Sequence, residues 1–225
     1  MKLTTVTGLL LILVPLAFNI TFLLLGKAFD YPGILRKPTD TILRQFKAGG
    51  ASLRRLWYAF MFSAVLFTPV PVLVQQVFQP DVPWFLVMGT AIGVLAGAVQ
   101  FLGLIRWPFL VTTLADMYTQ PKATQATREA VEVVFQAFHR YVGVAIGEHL
   151  GYVFTSVWTV LLCMAIIVTQ LVSPIFGWMG ILPAIGVFMG VFEETGFKSA
   201  GAINAISYLL WSVWMIAFGV ALLLR

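Results

Sequence analysis

Gly143-Val-Ala-Ile-Gly147-Glu148-His149-Leu150-Gly151 sets a carboxylate beside an imidazole, among three glycines at four-residue spacing. The chain around this pair is apolar from Tyr141 to Thr169, and that setting decides the fold. About 20 consecutive apolar residues make a helix that crosses a bilayer. Ionisable groups are costly at that depth, so by default they mark a functional site. Small residues on one helix face let a second helix approach closely.

The rest of the chain has the same character. Of its 225 residues 60% are apolar and 10% charged. Soluble domains carry about 25% charged residues, so an ordinary soluble globule is excluded. Apolar runs fall at about 6–26, 56–78, 84–107, 141–169, 174–192 and 201–224. The sequence therefore predicts an all-α integral membrane bundle of six transmembrane helices, one domain over residues 1–225. Pro15, Pro69, Pro71 and Pro183 lie inside these runs; neighbouring helices can satisfy the carbonyls they free. The first run is too long for a signal peptide and lacks a small-x-small cleavage site. A lone cysteine, Cys163, permits no intramolecular disulfide.

Two connections are long and polar. In the first, Pro38-Thr39-Asp40 can cap a helix in which Ile42, Leu43 and Phe46 share one face, and Gly49-Gly50 ends it. This predicts an amphipathic helix lying on the membrane surface. In the second, Arg128, Glu129, Glu132, Gln136, His139 and Arg140 recur near helical spacing, with Val133, Val134, Ala137 and Phe138 between them. It reads as an amphipathic lead-in to the fourth span. Six spans put both termini on one side. Of the 14 Lys and Arg residues, all but Lys2 and Arg225 are assigned to the side of the connections after spans one, three and five. The positive-inside rule places those connections in the cytoplasm and both termini outside. The net charge of +5 thus reports orientation, with no nucleic-acid partner implied.

Helical geometry puts His149, Tyr152, Ser156, Thr159 and Cys163 on one polar stripe of the fourth span and Gly143, Gly147 and Gly151 on another face. The third span has its own glycine face at Gly89, Gly93 and Gly97, which predicts close packing of the two helices. Gly186 and Gly190 form a further small-residue pair, available to the bundle or to a homo-oligomer. Arg106, Glu148, His149, Glu193 and Glu194 share a depth near the cytoplasmic leaflet. The economical arrangement is a shared cluster with Arg106 beside Glu148 or Glu193, since a guanidinium holds a carboxylate bidentately. Such a cluster is either a structural salt bridge or a pocket for a ligand or proton. His139 and His149 are separated by ~15 Å along a continuous helix, too far to chelate one metal together. Haem could use one histidine with a methionine opposite, but not two histidines, and the cofactor question stays open. No Gly-x-Ser-x-Gly is present, and helical Ser156 is suited to bonding backbone.

Several strings together carry a resemblance: Asp30-Tyr31-Pro32, Ile34-Leu35-Arg36-Lys37-Pro38-Thr39-Asp40, Arg106-Trp107-Pro108, His139-Arg140-Tyr141, Gly147-Glu148-His149-Leu150-Gly151 and Glu193. The chain resembles the bacterial multi-pass membrane proteins of domain-of-unknown-function family 4386 over nearly its whole length. The resemblance implies a bacterial cytoplasmic (inner) membrane protein and no particular activity. The expected function is small-molecule or ion binding or transport through a cytoplasm-facing intramembrane pocket. Arg106 would anchor an anion or counter-ion, Glu148 and His149 would be the protonatable pair beside Tyr152, and Glu193 and Glu194 would close the pocket. Membrane lipids and a small-molecule ligand are the expected partners. The competing classes are an intramembrane enzyme acting on a lipid-soluble substrate and an accessory protein whose cluster is only structural.

Overall fold

The computed structural model describes residues 2–225, and their regular structure is entirely helical. The first span is α1 (Leu3–Phe29). The second is α2 (Thr39–Phe67) followed, after a break at Thr68-Pro69, by α3 (Val70–Val77). The third runs as α4 (Trp84–Ile105), a wide π turn (Trp107–Val111) and α5 (Thr112–Thr119). The fourth runs as α6 (Gln125–Phe138), a π-helical stretch (His139–Leu150) and α7 (Gly151–Thr169). The fifth, α8 (Ile175–Phe188), ends in a 3-10 turn (Met189–Glu193), and α9 (Ala200–Leu223) is the sixth. Six helical units are long and apolar enough to cross a membrane. Their outer faces expose Leu13, Leu23, Trp178, Leu182, Leu209 and Val213. An apolar belt of this extent belongs in lipid, since soluble monomers rarely expose contiguous patches beyond a few hundred Å².

Three of the units are longer than a bilayer needs. The fourth covers 45 residues, or ~67 Å against a hydrocarbon core of ~30 Å. The surplus gathers at the basic end. There the first half of α2, the Gly33–Arg36 turn, α5 and α6 pack around Phe29, Ile42, Leu43, Phe46, Trp57, Trp107 and Phe135. This corrects one expectation. The amphipathic helix at Thr39–Phe46 does not present its apolar face to the membrane, because Ile42, Leu43 and Phe46 are buried in the protein. Gly50 makes the docking feasible: at φ 55° and ψ −146° it kinks α2 in a backbone conformation that suits glycine. The α6 lead-in is also rotated from expectation. Val131 and Phe135 face the core, while Val133, Val134 and Phe138 are exposed. The polar side of α6 finds partners within the bundle: the Tyr118 hydroxyl donates to Glu132 at 2.7 Å and Gln136 donates to Thr39 Oγ1 at 2.6 Å.

A second apolar core lies at the opposite end, with Leu11, Phe67, Val74, Trp158, Leu162, Trp211 and Met215 at its centre. Its buried members come from spans one to four and six, and Phe176 and Ile181 of α8 pack against it. The basic-end core draws on the first four spans only, with no member from α8 or α9.

The third and fourth spans pack closely, as the glycine pattern predicts, but by an unequal stride. Gly143 faces Arg106, Gly147 faces Gly103 and Gly151 faces Gln100. Each four-residue step on the fourth span meets a three-residue step on the third, the ridge pairing of shallow left-handed crossings. At the crossing a Cβ on Gly103 would lie 2.7 Å from the Gly147 Cα, so backbone touches backbone. Of the glycine face predicted on α4, Gly89 meets Leu161 and Gly93 meets Trp158 of the fourth span, Gly93 also meets Pro71 of the second, and Gly97 faces Thr68 of the second. Gly186 and Gly190 face Ser207 and Asn204 of α9.

Gly103→Ala should therefore destabilise the protein by about 1–3 kcal/mol, because backbone cannot yield as a side chain can. Gly151→Ala, whose added carbon would meet Gln100 Cγ at an ordinary 3.4 Å, should be close to neutral. Thermal unfolding in detergent compares the two; equal stability would remove the crossing as the point that sets helix separation.

Candidate functional site

Between the two apolar cores lies a layer of polar side chains, and its most buried ion is Arg106, at 8% exposure. It stands where α4 ends and the π turn begins. Pro108, the second residue of that turn, has no N–H to give, and the helix continues because Val111 N–H reaches back to the Arg106 carbonyl at 2.8 Å, an i→i+5 bond. The guanidinium folds back along its own helix and donates to the Gly103 carbonyl. It also meets His139 Nδ1 at 3.5 Å. An arginine can only donate, so this contact requires a neutral His139 with its proton on Nε2. His139 is stacked on Phe135, with ring centroids 5.8 Å apart. Gly143 covers the other side of the guanidinium: a Cβ there would lie 2.5 Å from one terminal nitrogen.

Arg106 also lies over the Trp107 ring at 5.5 Å, and Trp107 stacks on Trp57 at 4.3 Å. Cation–π contact partly offsets the cost of the buried charge. Both indoles are fully buried, and neither Nε1 has a hydrogen-bond partner.

The expected pairing of Arg106 with Glu148 or Glu193 is not made; the four ion pairs among the described residues involve other partners. Glu193 lies 3.8 Å from Arg36, and Glu194 takes a bidentate pair from Arg140 at 3.1 and 2.8 Å. Both pairs are largely exposed, at the end of the fifth span. Gly143, and not a carboxylate, is the residue of the fourth span that meets the guanidinium.

Glu148 is half-buried and forms no ion pair and no hydrogen bond with the described residues. Its charge is within electrostatic reach of Arg106, Glu193 and Glu194. Three phenols from three elements are in the same reach: Tyr31 from the turn after α1, Tyr152 from α7 and Tyr208 from α9. Tyr152 and Tyr208 are in contact, with centroids 5.9 Å apart. Burial, with the Glu148 charge adding to it, raises the Tyr31 phenol above its ordinary value, so its O–H stays a donor. His149 is half-buried, with no hydrogen bond among the described residues. On the far side of the layer Gln100 donates to Thr155 Oγ1 at 3.0 Å, Asn204 to the Val187 carbonyl at 2.7 Å and Trp211 to Thr159 at 2.8 Å. Among the described residues, no three of His, Cys, Asp and Glu converge as metal ligands.

Of the residues singled out from sequence, Glu148 lies within electrostatic reach of Tyr152 and Arg106 without a contact to either, His149 stands apart, and Glu193 and Glu194 stand in exposed pairs at the rim. Tyr31, His139 and Tyr208 went unrecognised as members of the layer. The His139-Arg140-Tyr141 and Asp30-Tyr31-Pro32 strings held a signal for two of them; nothing distinguishes Tyr208 from any other tyrosine in an apolar helix.

Six apolar helices around an inner polar layer define a multi-pass helical membrane protein. The chain belongs to the family described as Domain of unknown function (DUF4386), whose model matches residues 6–225. No curated protein and no solved structure matches it.

The Arg106–Gly143 contact generates a double-mutant test. Gly143→Ala and Arg106→Lys should each lower stability, and their coupling should be about 0.5–3 kcal/mol, as for residues in contact. Denaturant unfolding of the four proteins measures it; additive costs would mean that Gly143 does not seat the guanidinium.

Proposed function

We propose that the protein binds, and carries across the bacterial cytoplasmic membrane, a small molecule or ion at an intramembrane site centred on Glu148. The observation that carries this reading is an unpaired carboxylate in the interior of the bundle. Keeping such a group ionised costs several kcal/mol unless something compensates it. Other interior polar side chains, including Asn19, Gln100, Thr159 and Asn204, have partners within the protein. Glu148 instead has partial exposure and unclaimed acceptor capacity. Tyr31, Tyr152 and Tyr208 are half-buried like Glu148, and the oxygens of all four are absent from the sealed, partnerless polar atoms of the protein. The basic end, where Glu193 and Glu194 stand, faces the cytoplasm in this reading, and lipids surround the bundle.

Arg106 takes a different part from the one its charge suggests. Its donors are directed at the Gly103 carbonyl and His139, so it fixes the π turn against the fourth span and sets the local potential. It does not reach out to anchor an anion.

A thermal-shift panel of small ions and metabolites tests the site. A compound at a hundredfold its dissociation constant stabilises by about 2.7 kcal/mol. Compounds that stabilise the wild type should fail to stabilise Glu148→Gln. They should act normally on Glu194→Gln, where loss of an exposed pair costs at most about 1 kcal/mol. If Glu148→Gln chiefly lowers the melting temperature and responds to every compound as the wild type does, the carboxylate is structural.

A further inference from the structure

We propose that an anionic phospholipid binds along the third span at the basic end of the bundle. One acyl chain lies in an apolar groove between the third and fourth spans. The phosphate sits at Arg54, in a polar crevice beside the kink of α2. This site is separate from Glu148.

The groove has a volume of about 340 Å³ and is lined by Leu102, Ile105, Phe109, Phe138 and Val142 together with Arg106. That volume is within the range of small-molecule sites. Its surface is almost wholly apolar, because the Arg106 guanidinium is directed to the Gly103 carbonyl and His139. Leu102, Phe109 and Phe138 are exposed, so the groove opens to whatever surrounds the protein.

Depth decides what that is. α4 has 22 residues, a rise of ~33 Å against a hydrocarbon core of ~30 Å. Trp84, at the start of α4, is exposed, as tryptophans at a membrane interface are. With Trp84 at one boundary, Arg106 stands at the other. Leu102 and Ile105 then lie in the acyl-chain region, and Phe109 lies about 5 Å beyond Arg106, level with headgroups. An apolar groove that crosses this boundary fits a molecule with a chain and a polar head.

The polar end is reached from Phe109. Its ring meets Tyr58 of α2 edge-on, with centroids 5.6 Å apart, and Arg54 lies one turn from Tyr58 on the same helix face. Arg54, Lys47, Gly50, Thr112 and Asp116 line a second crevice of about 50 Å³. Lys47 is already engaged, with its Nζ 2.6 Å from Asp116. Arg54 and its neighbour Arg55 are exposed and belong to none of the ion pairs among the described residues. A guanidinium can take two phosphate oxygens at once, and each basic side chain at an anionic leaflet adds to the attraction. A second copy is a poorer occupant, since a twofold axis through this surface would set the two cationic rims against each other.

The experiment is native mass spectrometry of the detergent-purified full chain, titrated with phosphatidylglycerol and, in parallel, with phosphatidylcholine of the same chains. The wild type should retain one phosphatidylglycerol saturably and hold it more tightly than phosphatidylcholine. Arg54→Gln should weaken phosphatidylglycerol by about fivefold, the worth of one surface cation. Val142→Trp, which fills the groove, should weaken both lipids by about tenfold, as if roughly two methylenes were left unburied. Leu102→Trp, at a more exposed position, replaces it if Val142→Trp does not fold. Leu182→Trp, on the exposed face of α8, should change neither lipid. Four results would each overturn the proposal: equal affinity for the two lipids, equal binding by wild type and Arg54→Gln, an equal loss in Leu182→Trp, which would mean lipid coating the belt without a site, or a dimer that Val142→Trp dissociates, which would give the groove to a second copy.

Discussion

In a bilayer, helices gain nothing from hiding apolar surface from one another, because the lipid is as apolar as they are. What holds two spans together must then be close packing, and here it is concentrated where Gly103 of the third span meets Gly147 of the fourth. Neither residue has a side chain, so the backbones approach to contact. Once that separation is set, the neighbouring positions follow. One register step towards the basic end puts Gly143 over the Arg106 guanidinium, and one step the other way puts Gly151 beside Gln100. A bulkier residue at Gly143 would displace the guanidinium, and with it the seat for His139. The packing contact and the placement of the interior charge are one arrangement.

That arrangement also settles how the interior charges divide. A buried ion pair gains its Coulomb energy only when geometry and remaining hydrogen bonds are good, and otherwise desolvation dominates. Arg106 is compensated locally, by a carbonyl of its own helix, a neutral imidazole and an indole face. None of these partners is a formal charge, so Glu148 is not consumed in neutralising it. The rim carboxylates, by contrast, are consumed: Glu193 by Arg36 and Glu194 by Arg140. Of three glutamates near one level of the bundle, two serve as ties between elements and one is left without a partner.

The class of fold was legible because apolar length is a crude, strong signal. Six runs stood out from composition, and six helical units occupy them. The orientation of α6 and the docking of the first half of α2 were not legible. Each helix carries an apolar stripe that lipid and protein satisfy equally well, and Ile42, Leu43 and Phe46 look the same in either case. The π stretch over His139–Leu150 was the larger gap. A four-residue glycine period reads naturally as an α-helical face, and nothing in Gly143-Val-Ala-Ile-Gly147 announces i→i+5 bonding. Arg106 meets His139 and Gly143 there, not the expected carboxylate. Glu148 and Tyr152 were recoverable from the expense of polar groups at depth. Tyr31 and Tyr208 reach the layer only through tertiary structure.

The unequal distribution of the two cores bears on how a ligand would reach Glu148. At the end opposite the basic one the spans interlock, with Trp158, Trp211 and Met215 buried among them and Phe176 and Ile181 of α8 packed against them. At the basic end the core belongs to spans one to four, and the α8–α9 hairpin stands outside it. Its ties there are the Arg36–Glu193 and Arg140–Glu194 pairs, both solvent-exposed, and exposed pairs contribute about 0–1 kcal/mol each. Within the hairpin, Asn204 bonds the Val187 carbonyl, so its two helices stay together as a unit. The seam between this unit and the first four spans has Tyr152 of α7 on one side and Tyr208 of α9 on the other, with ring centroids 5.9 Å apart. Glu148 lies within electrostatic reach of both rings, so the contact between the hairpin and the first four spans borders a carboxylate with no ion-pair partner among the described residues.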